Sequence, residues 1–302
     1  MLTISVAVND DARNDVGNDV GNDAGNDAGN DARQDDTYPG SWEPEHGLSL
    51  ILRSGGWLGL FDLGAGRTTV PHLTRFGVDL AEVSDVFLSH GHYDHTGGLA
   101  GCMAAGLTKA RFWHGGGVTR RRWRVEPDLV REIGMPDTCR AVWDTLTPER
   151  RREVNVPVSL TAGSAAEGIF LTGPIPRRCG ETTGGPFFLG DNIPDTIEDE
   201  IAMVVPLHGG GALLVTGCCH AGLINTLELC RDLGWTITAV MGGLHLNSAG
   251  ERRLRMTADY LNASSVKRLI LTHCTGAEAG EFLSRKFRGE TTTALAGDTL
   301  EF

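Results

Sequence analysis

The sequence predicts a layered α/β fold, and three observations carry that expectation. Short apolar runs recur along the chain, most end in a polar loop, and several of those loops open onto stretches with helical periodicity. Of the ten histidines, five or six follow directly on such runs, where loops gather side chains at one rim of a sheet. The third is scale: 302 residues, 40% hydrophobic and 22% charged, are enough to bury a full core as one domain, 1–302.

In chain order, a first strand is expected over 3–8. It is followed by an Asn-Asp-Ala/Val-Gly repeat in residues 9–31, part of a low-complexity segment spanning 9–36. Nothing in that segment can build a core. It reads as a flexible insertion inflating a hairpin loop, and its removal is expected to leave activity intact. The period of four matches neither the calcium-binding β-roll nor the EF-hand loop, which argues against a calcium site. Strands are expected over 48–53, 57–62, 83–89, 168–172, 201–206, 212–216, 236–241 and 268–272. Helices are expected over 99–107, 223–233, 249–261 and 277–287. The stretch 115–192, rich in Arg, Pro and Gly with one convincing strand, reads as an inserted cap or lid.

Composition excludes several classes. A net charge of −12 argues against a general nucleic-acid binder, which neutralises phosphates with a basic surface. No run approaches the roughly 18–20 apolar residues of a membrane span, and the first eight residues lack a basic n-region. A soluble, cytoplasmic protein with no membrane partner is therefore expected, acting on a small molecule; a homodimer is compatible with the sequence. The seven cysteines lack CxxC spacing and read as reduced thiols. Cys218, Cys219 and Cys274 stand beside histidines, as supporting or redox-sensitive groups.

The densest histidine group follows the apolar run Val86-Phe87-Leu88: His90, His92, Asp94 and His95, within six residues. Imidazole nitrogens and a carboxylate oxygen are ligands that zinc, iron(II) and manganese accept. A tight turn would let His90 and His92 reach one metal while Asp94 and His95 reach a second. Gly91, Gly97 and Gly98 would ease the backbone around the ions. The alternative is a loop of surface histidines, but so dense a set after a buried strand is costly to keep unless it binds something.

This His-x-His-x-Asp-His string resembles the metallo-β-lactamase superfamily. Phe61-Asp62-Leu63-Gly64 ahead of it, and His220, His245 and His273 after it, extend the resemblance over most of the chain. The resemblance implies a four-layer αββα sandwich with an inserted cap, and a binuclear metal-dependent hydrolase. It implies that His220 completes the ligand set of His90 and His92, that His273 joins Asp94 and His95, and that the cofactors are two divalent metal ions. Zinc comes first, with iron or manganese as alternatives. One piece departs from the family's pattern. Most members place a metal-bridging Asp after the strand between these two histidines, whereas this chain reads Met241-Gly242-Gly243-Leu244-His245-Leu246. Either His245 replaces that ligand or it faces the substrate. Asp94 and His245 are the residues assigned to catalysis.

The strings Glu45-His46-Gly47-Leu48-Ser49, Gly217-Cys218-Cys219-His220-Ala221-Gly222-Leu223 and His273-Cys274-Thr275-Gly276 narrow the resemblance. They are similar to a subgroup related to the dihydropterin-ribofuranosylaminobenzene phosphate synthases of methanopterin biosynthesis. Many members of that subgroup are known only as metal-dependent hydrolases. In the hydrolase reading a metal-activated hydroxide, oriented by Asp94, attacks an ester, phosphoester or lactone. In the synthase reading the metals clamp a diphosphate leaving group while a pterin-methyl group passes to an arylamine. A third reading is a non-catalytic metal-bound sensor or a di-iron redox protein; flavodiiron proteins, however, carry Glu where this chain has His92. An anionic substrate would want arginine forks. Arg177 and Arg178 are the candidates, the run Arg120 to Arg124 reading as a solvated helix face. His114, at another strand end, either faces the pocket or is packed.

Overall fold

Along several strands both faces are apolar, so each sheet needs cover on both sides. In the computed structural model, which describes residues 1–13, 19–20, 41–160, 168–181, 185–190 and 193–302, two seven-stranded sheets meet this need by packing face to face. Val86 and Leu88 point outward while Phe87, between them, points inward. Leu213 and Val215 point inward and Leu214 outward in the opposite sheet. The inner layer joins Leu50, Leu52, Phe61 and Phe87 to Leu213, Val215, Met241 and Ile270. Each fully buried side chain of this kind contributes about 1.5–3 kcal/mol.

Helices cover the outer faces. Thr69–Arg75, Leu99–Ala104 and Asp137–Thr145 lay Leu73, Leu99, Cys139 and Trp143 against Ile51, Leu60, Val86 and Phe112. On the other side Leu223–Asp232, Glu251–Ala263 and Ala277–Lys286 bury Leu227, Leu261 and Leu283 against Leu214, Val240 and Leu269. The result is the four-layer αββα sandwich. Among the described residues no helix is long and apolar enough to cross a membrane.

Parallel strands set the rim. Asp85–Leu88 lies parallel between Trp57–Phe61 and Arg111–His114. In the other sheet Ala212–Thr216, Ile237–Gly242 and Arg268–Leu271 run parallel in that order. Their C-terminal ends carry His90, His220, His245 and His273.

The structure divides the stretch 115–192 instead of making all of it a cap. Arg151–Glu153 pairs with Arg111–His114 and extends the first sheet. Val158–Ser159 and Phe170–Leu171 extend the second, and Asp137–Thr145 belongs to the outer helical layer. Among the described residues only a four-stranded sheet stands apart, made of Trp123–Glu126, Leu129–Glu132, Phe187–Leu189 and Ile193–Pro194. The Arg120 to Arg124 run leads into this sheet, so it is not a helix face, and Arg122 is 1% exposed. Most of the Asn-Asp-Ala/Val-Gly repeat lies outside the described residues, but its first residues, Asn9 and Asp10, do not.

Candidate metal centre

Five non-glycine residues hold a positive φ among the described residues: Asp62, Ile197, Cys219, His245 and His273. Such backbone persists where surrounding structure over-determines it, most often at functional sites. Four of the five follow a sheet strand at the rim, and Ile197 opens the turn that carries Asp199 and Glu200. Gly91 has a different purpose from the flexibility read in the sequence. A Cβ there would lie 2.0 Å from the Val118 carbonyl oxygen, so close packing of two loops demands glycine.

His90, His92 and His220 come together, their donor atoms within 4.8 Å of one another. His90 Nε2 lies 3.0 Å from His92 Nδ1, and the His220 ring is 4.8 Å and 4.9 Å from the other two. All three are buried. Burial, then the neighbouring histidines, hold His90 and His220 well below the usual imidazole range, and burial does the same for His92. They are neutral at pH 7, the form that binds metal. Their loops are held by carboxylates acting on backbone amides. Asp199 accepts from Gly91 N at 2.8 Å, and Glu200 accepts from His220 N and Ala221 N, each at 2.6 Å. Burial pushes Glu200 up to about 7 against those two bonds. Arg122 fastens the carboxylate turn, with Asp199 at 2.6 Å and 3.0 Å and Asp195 at 3.0 Å.

Asp94, His95, Cys218 and His273 form a second group within 4.8 Å. Asp94 Oδ2 is 3.5 Å from His95 Nε2 and 3.3 Å from His273 Nε2. Cys218 Sγ lies 3.1 Å and 3.2 Å from the same two nitrogens. Behind each ring stands a carboxylate: Asp62 Oδ2 at 2.7 Å from His95 Nδ1, and Asp10 Oδ1 at 2.6 Å from His273 Nδ1. This is how proteins fix the tautomer and raise the basicity of ligating imidazoles. Burial disfavours the charged imidazole, but Asp62 and Asp94 outweigh it and raise His95 to about 9. Asp10 likewise raises His273 against burial. Asp94 is held well below the carboxylate range by His95 and His273, again against burial.

The donor chemistry fits divalent metal ions. His92 Nε2, both nitrogens of His220 and His245 Nδ1 are buried without a hydrogen-bond partner. Buried polar atoms left unpaired cost about 1–3 kcal/mol each, and here they converge. Imidazole, carboxylate and thiol together suit zinc or iron(II). His245, half-buried, places a donor within 4.8 Å of those of Cys218 and His220, with its ring 4.4 Å from His220.

The residues read as substrate contacts lie elsewhere. Arg178 is exposed and paired with Asp232 at 2.6 Å on an outer helix. Arg177 donates to the carbonyls of Thr196 and Ile197, bracing the turn before Asp199. His114 is packed, with Nδ1 2.9 Å from the Gly115 carbonyl and its ring edge-on to Trp143 at 4.9 Å. In their place Phe187, from the small sheet, stands 5.4 Å from His92, 5.6 Å from His220 and 6.2 Å from His245.

Sequence reasoning missed several contributors. Asp10 bridges His273 and His46, and Asn9 Oδ1 accepts from His273 N at 2.6 Å. The supposedly dispensable segment therefore begins with two residues that hold a site histidine. His46 Nε2 reaches Asp94 Oδ2 at 3.4 Å; its Glu-His-Gly string was visible, but its role was not. Glu200, Asp199 and Arg122 left no motif.

The superfamily model described as "Metallo-beta-lactamase superfamily" matches residues 42–110. The 7,8-dihydropterin-6-methyl-4-(β-D-ribofuranosyl)-aminobenzene-5′-phosphate synthase of Methanocaldococcus jannaschii is 25% identical over 272 residues, 85% of this chain and 90% of that protein. The crystal structure of Tm1679, a metal-dependent hydrolase of the β-lactamase superfamily, superposes with a TM-score of 0.76 at 26% identity, covering 100% of this chain and 99% of that one. YhfI of Bacillus subtilis, a metallo-β-lactamase fold protein, superposes at 0.55 with 13% identity over the whole of both chains, a likeness of fold alone.

Proposed function

We propose that this chain, which belongs to the metallo-β-lactamase superfamily, is a hydrolase that holds two divalent metal ions and acts on an ester, phosphoester or lactone-like small molecule. The observation that carries the reading is the convergence of buried, partnerless imidazole nitrogens from two strand ends beside a second, charged donor group. His90, His92 and His220 would hold one ion, and Asp94, His95 and His273 the other, with zinc as the first choice. Bound there, the ions supply a nucleophile at neutral pH by lowering the pKa of water, and they polarise the bond under attack.

The residues do the positioning. Asp94 is anionic and fixed by His95, His273 and His46, so its carboxylate can orient an attacking water by accepting its hydrogen bond. His245 lies at the half-open side of the first group and serves as a substrate contact or an additional donor. Phe187 closes the apolar side over His92 and His220 and excludes water there.

The test is turnover across ester, lactone and phosphodiester panels. The expected result is hydrolysis of one class that is lost with a chelator, restored by zinc, and absent in Asp94→Ala. Full metal content with no turnover on any panel would overturn the reading in favour of a sensor. A transferase reading is favoured by one observation, the 25% identity over 85% of the chain to a named synthase. Incubation with a pterin-methyl diphosphate and an arylamine separates the two: a coupled amine product supports transfer, and a pterin alcohol supports hydrolysis.

A further inference from the structure

We propose that a cavity under the helix Ala277–Lys286 is a second binding site, for a small organic carboxylate, formed by the uncapped amide end of that helix and the hydroxyls of Thr272 and Thr291. The site does not depend on the metal reading above. The cavity, about 460 Å³ in volume, lies between the helix and the edge strand Glu290–Thr293 of the second sheet, and that size suits a small molecule. His273 shares its wall but turns its ring nitrogens to Asp10 and Asp94, so its donors belong to the metal centre and not to the cavity.

The polar groups on the wall decide the chemistry. Thr272 is 2% exposed, and its Oγ1 has no hydrogen-bond partner. Thr291 Oγ1 is likewise buried and unpartnered. Two other wall residues are already committed, Asn9 Oδ1 accepting from His273 N and Thr275 Oγ1 from Leu244 N. A buried hydroxyl left unpaired is destabilising, and two on one wall mark a place that a ligand completes. A helix begins beside them. Its N-cap is Gly276, and no side chain caps its first amides; Gly276 and Ala277 both line the cavity. The first N–H groups of a helix have no intrahelical acceptor, and its dipole is positive at that end. Hydroxyl and amide donors together suit an anionic oxygen. Charge selects which anion. Asp11 and Glu281 also stand on the wall, and Arg285 is paired with Glu281 at 3.7 Å. Two nearby carboxylates repel a doubly charged phosphate more strongly than a singly charged carboxylate.

The experiment is amide chemical-shift mapping of the full-length, zinc-loaded protein during titration with sodium acetate, and separately with inorganic phosphate at matched ionic strength. Acetate is expected to give saturable shifts at Gly276, Ala277 and Thr291. Read at Gly276, Thr291→Val and Ala277→Pro are each expected to weaken acetate binding about tenfold. The first removes a hydroxyl, and the second removes an N–H at a helix position that accepts proline. Without acetate, Thr291→Val is expected to unfold at the same denaturant concentration as the wild type or a higher one, because its hydroxyl has no partner in the protein. A loss of stability there would assign the hydroxyl to the fold and overturn the proposal. If Ala277→Pro does not fold, Thr291→Val alone decides. No saturable shift at these amides, or acetate binding that Thr291→Val leaves unchanged, would also overturn the site. Tighter binding of phosphate than of acetate at the same amides would overturn the carboxylate assignment.

Discussion

His90, His92 and His220 are neutral imidazoles positioned through their backbones, whereas Asp94, His95 and His273 are charged groups positioned through their side chains. In the first half Asp199 and Glu200 grip the amides of Gly91, His220 and Ala221, and His92 Nε2 and both His220 nitrogens are left without a partner. In the second half Asp62 and Asp10 grip the rings themselves. The difference is one of readiness. The first half presents unprotonated donors at pH 7. The second must release protons from His95 and His273 before a metal can enter, and it gains more basic ligands in return.

The largest effects should come from breaking one half at a time. His92→Ala is expected to remove the first metal and abolish turnover while leaving the second half's metal and the fold in place, as read by elemental analysis and circular dichroism. Equal loss from both halves would show that they do not assemble independently. Arg122→Ala leaves Asp199 and Asp195 buried without their partner and is expected to lower stability by about 3–5 kcal/mol in denaturant unfolding. A change under about 1 kcal/mol would show that the carboxylate turn does not depend on this arginine.

Asp62→Ala and Asp10→Ala are expected to weaken metal binding at the second half by about 10–100-fold and to spare the first. The same comparison holds for pH. Because His95 is raised to about 9, protons compete with the second metal below that pH, so its affinity should climb from neutrality toward pH 9. The triad's affinity should stay level over that range, its imidazoles already being neutral. In metal-free protein the His95 ion pairs contribute stability that is fully present below the unfolded value of 6.5 and lost as pH rises through about 9. Chemical denaturation across that window checks the sign. The smallest effect belongs to Arg178→Ala, which breaks an exposed pair with Asp232 worth at most about 1 kcal/mol and should leave kcat/KM within twofold.

The rim was legible in the sequence where an apolar run and a histidine adjoin. Leu88 before His90, Thr216 before His220 and Leu271 before His273 placed the donors, because burial of the strand forces its end into a fixed place. What supports those donors was not legible. Arg122 sits in a charge run that looks solvated, and only the fold reveals Asp195 and Asp199 enclosing it from more than seventy positions away. Asp10 opens a repeat whose composition speaks of disorder, yet it is within reach of His273. Arg177 and Arg178 had the right chemistry for phosphate, but their partners are a carbonyl pair and a surface aspartate. Cys218 was conspicuous as a neighbour of His220, but only distances place its sulfur beside His95 and His273.

The most direct test of the two-half account is metal stoichiometry by elemental analysis on three proteins purified without chelators: wild type, His220→Ala and His273→Ala. The account predicts two transition-metal ions per chain in the first and one in each variant, the retained ion differing between them in its pH dependence. No transition metal in the wild type, or an unchanged count in either variant, would contradict it.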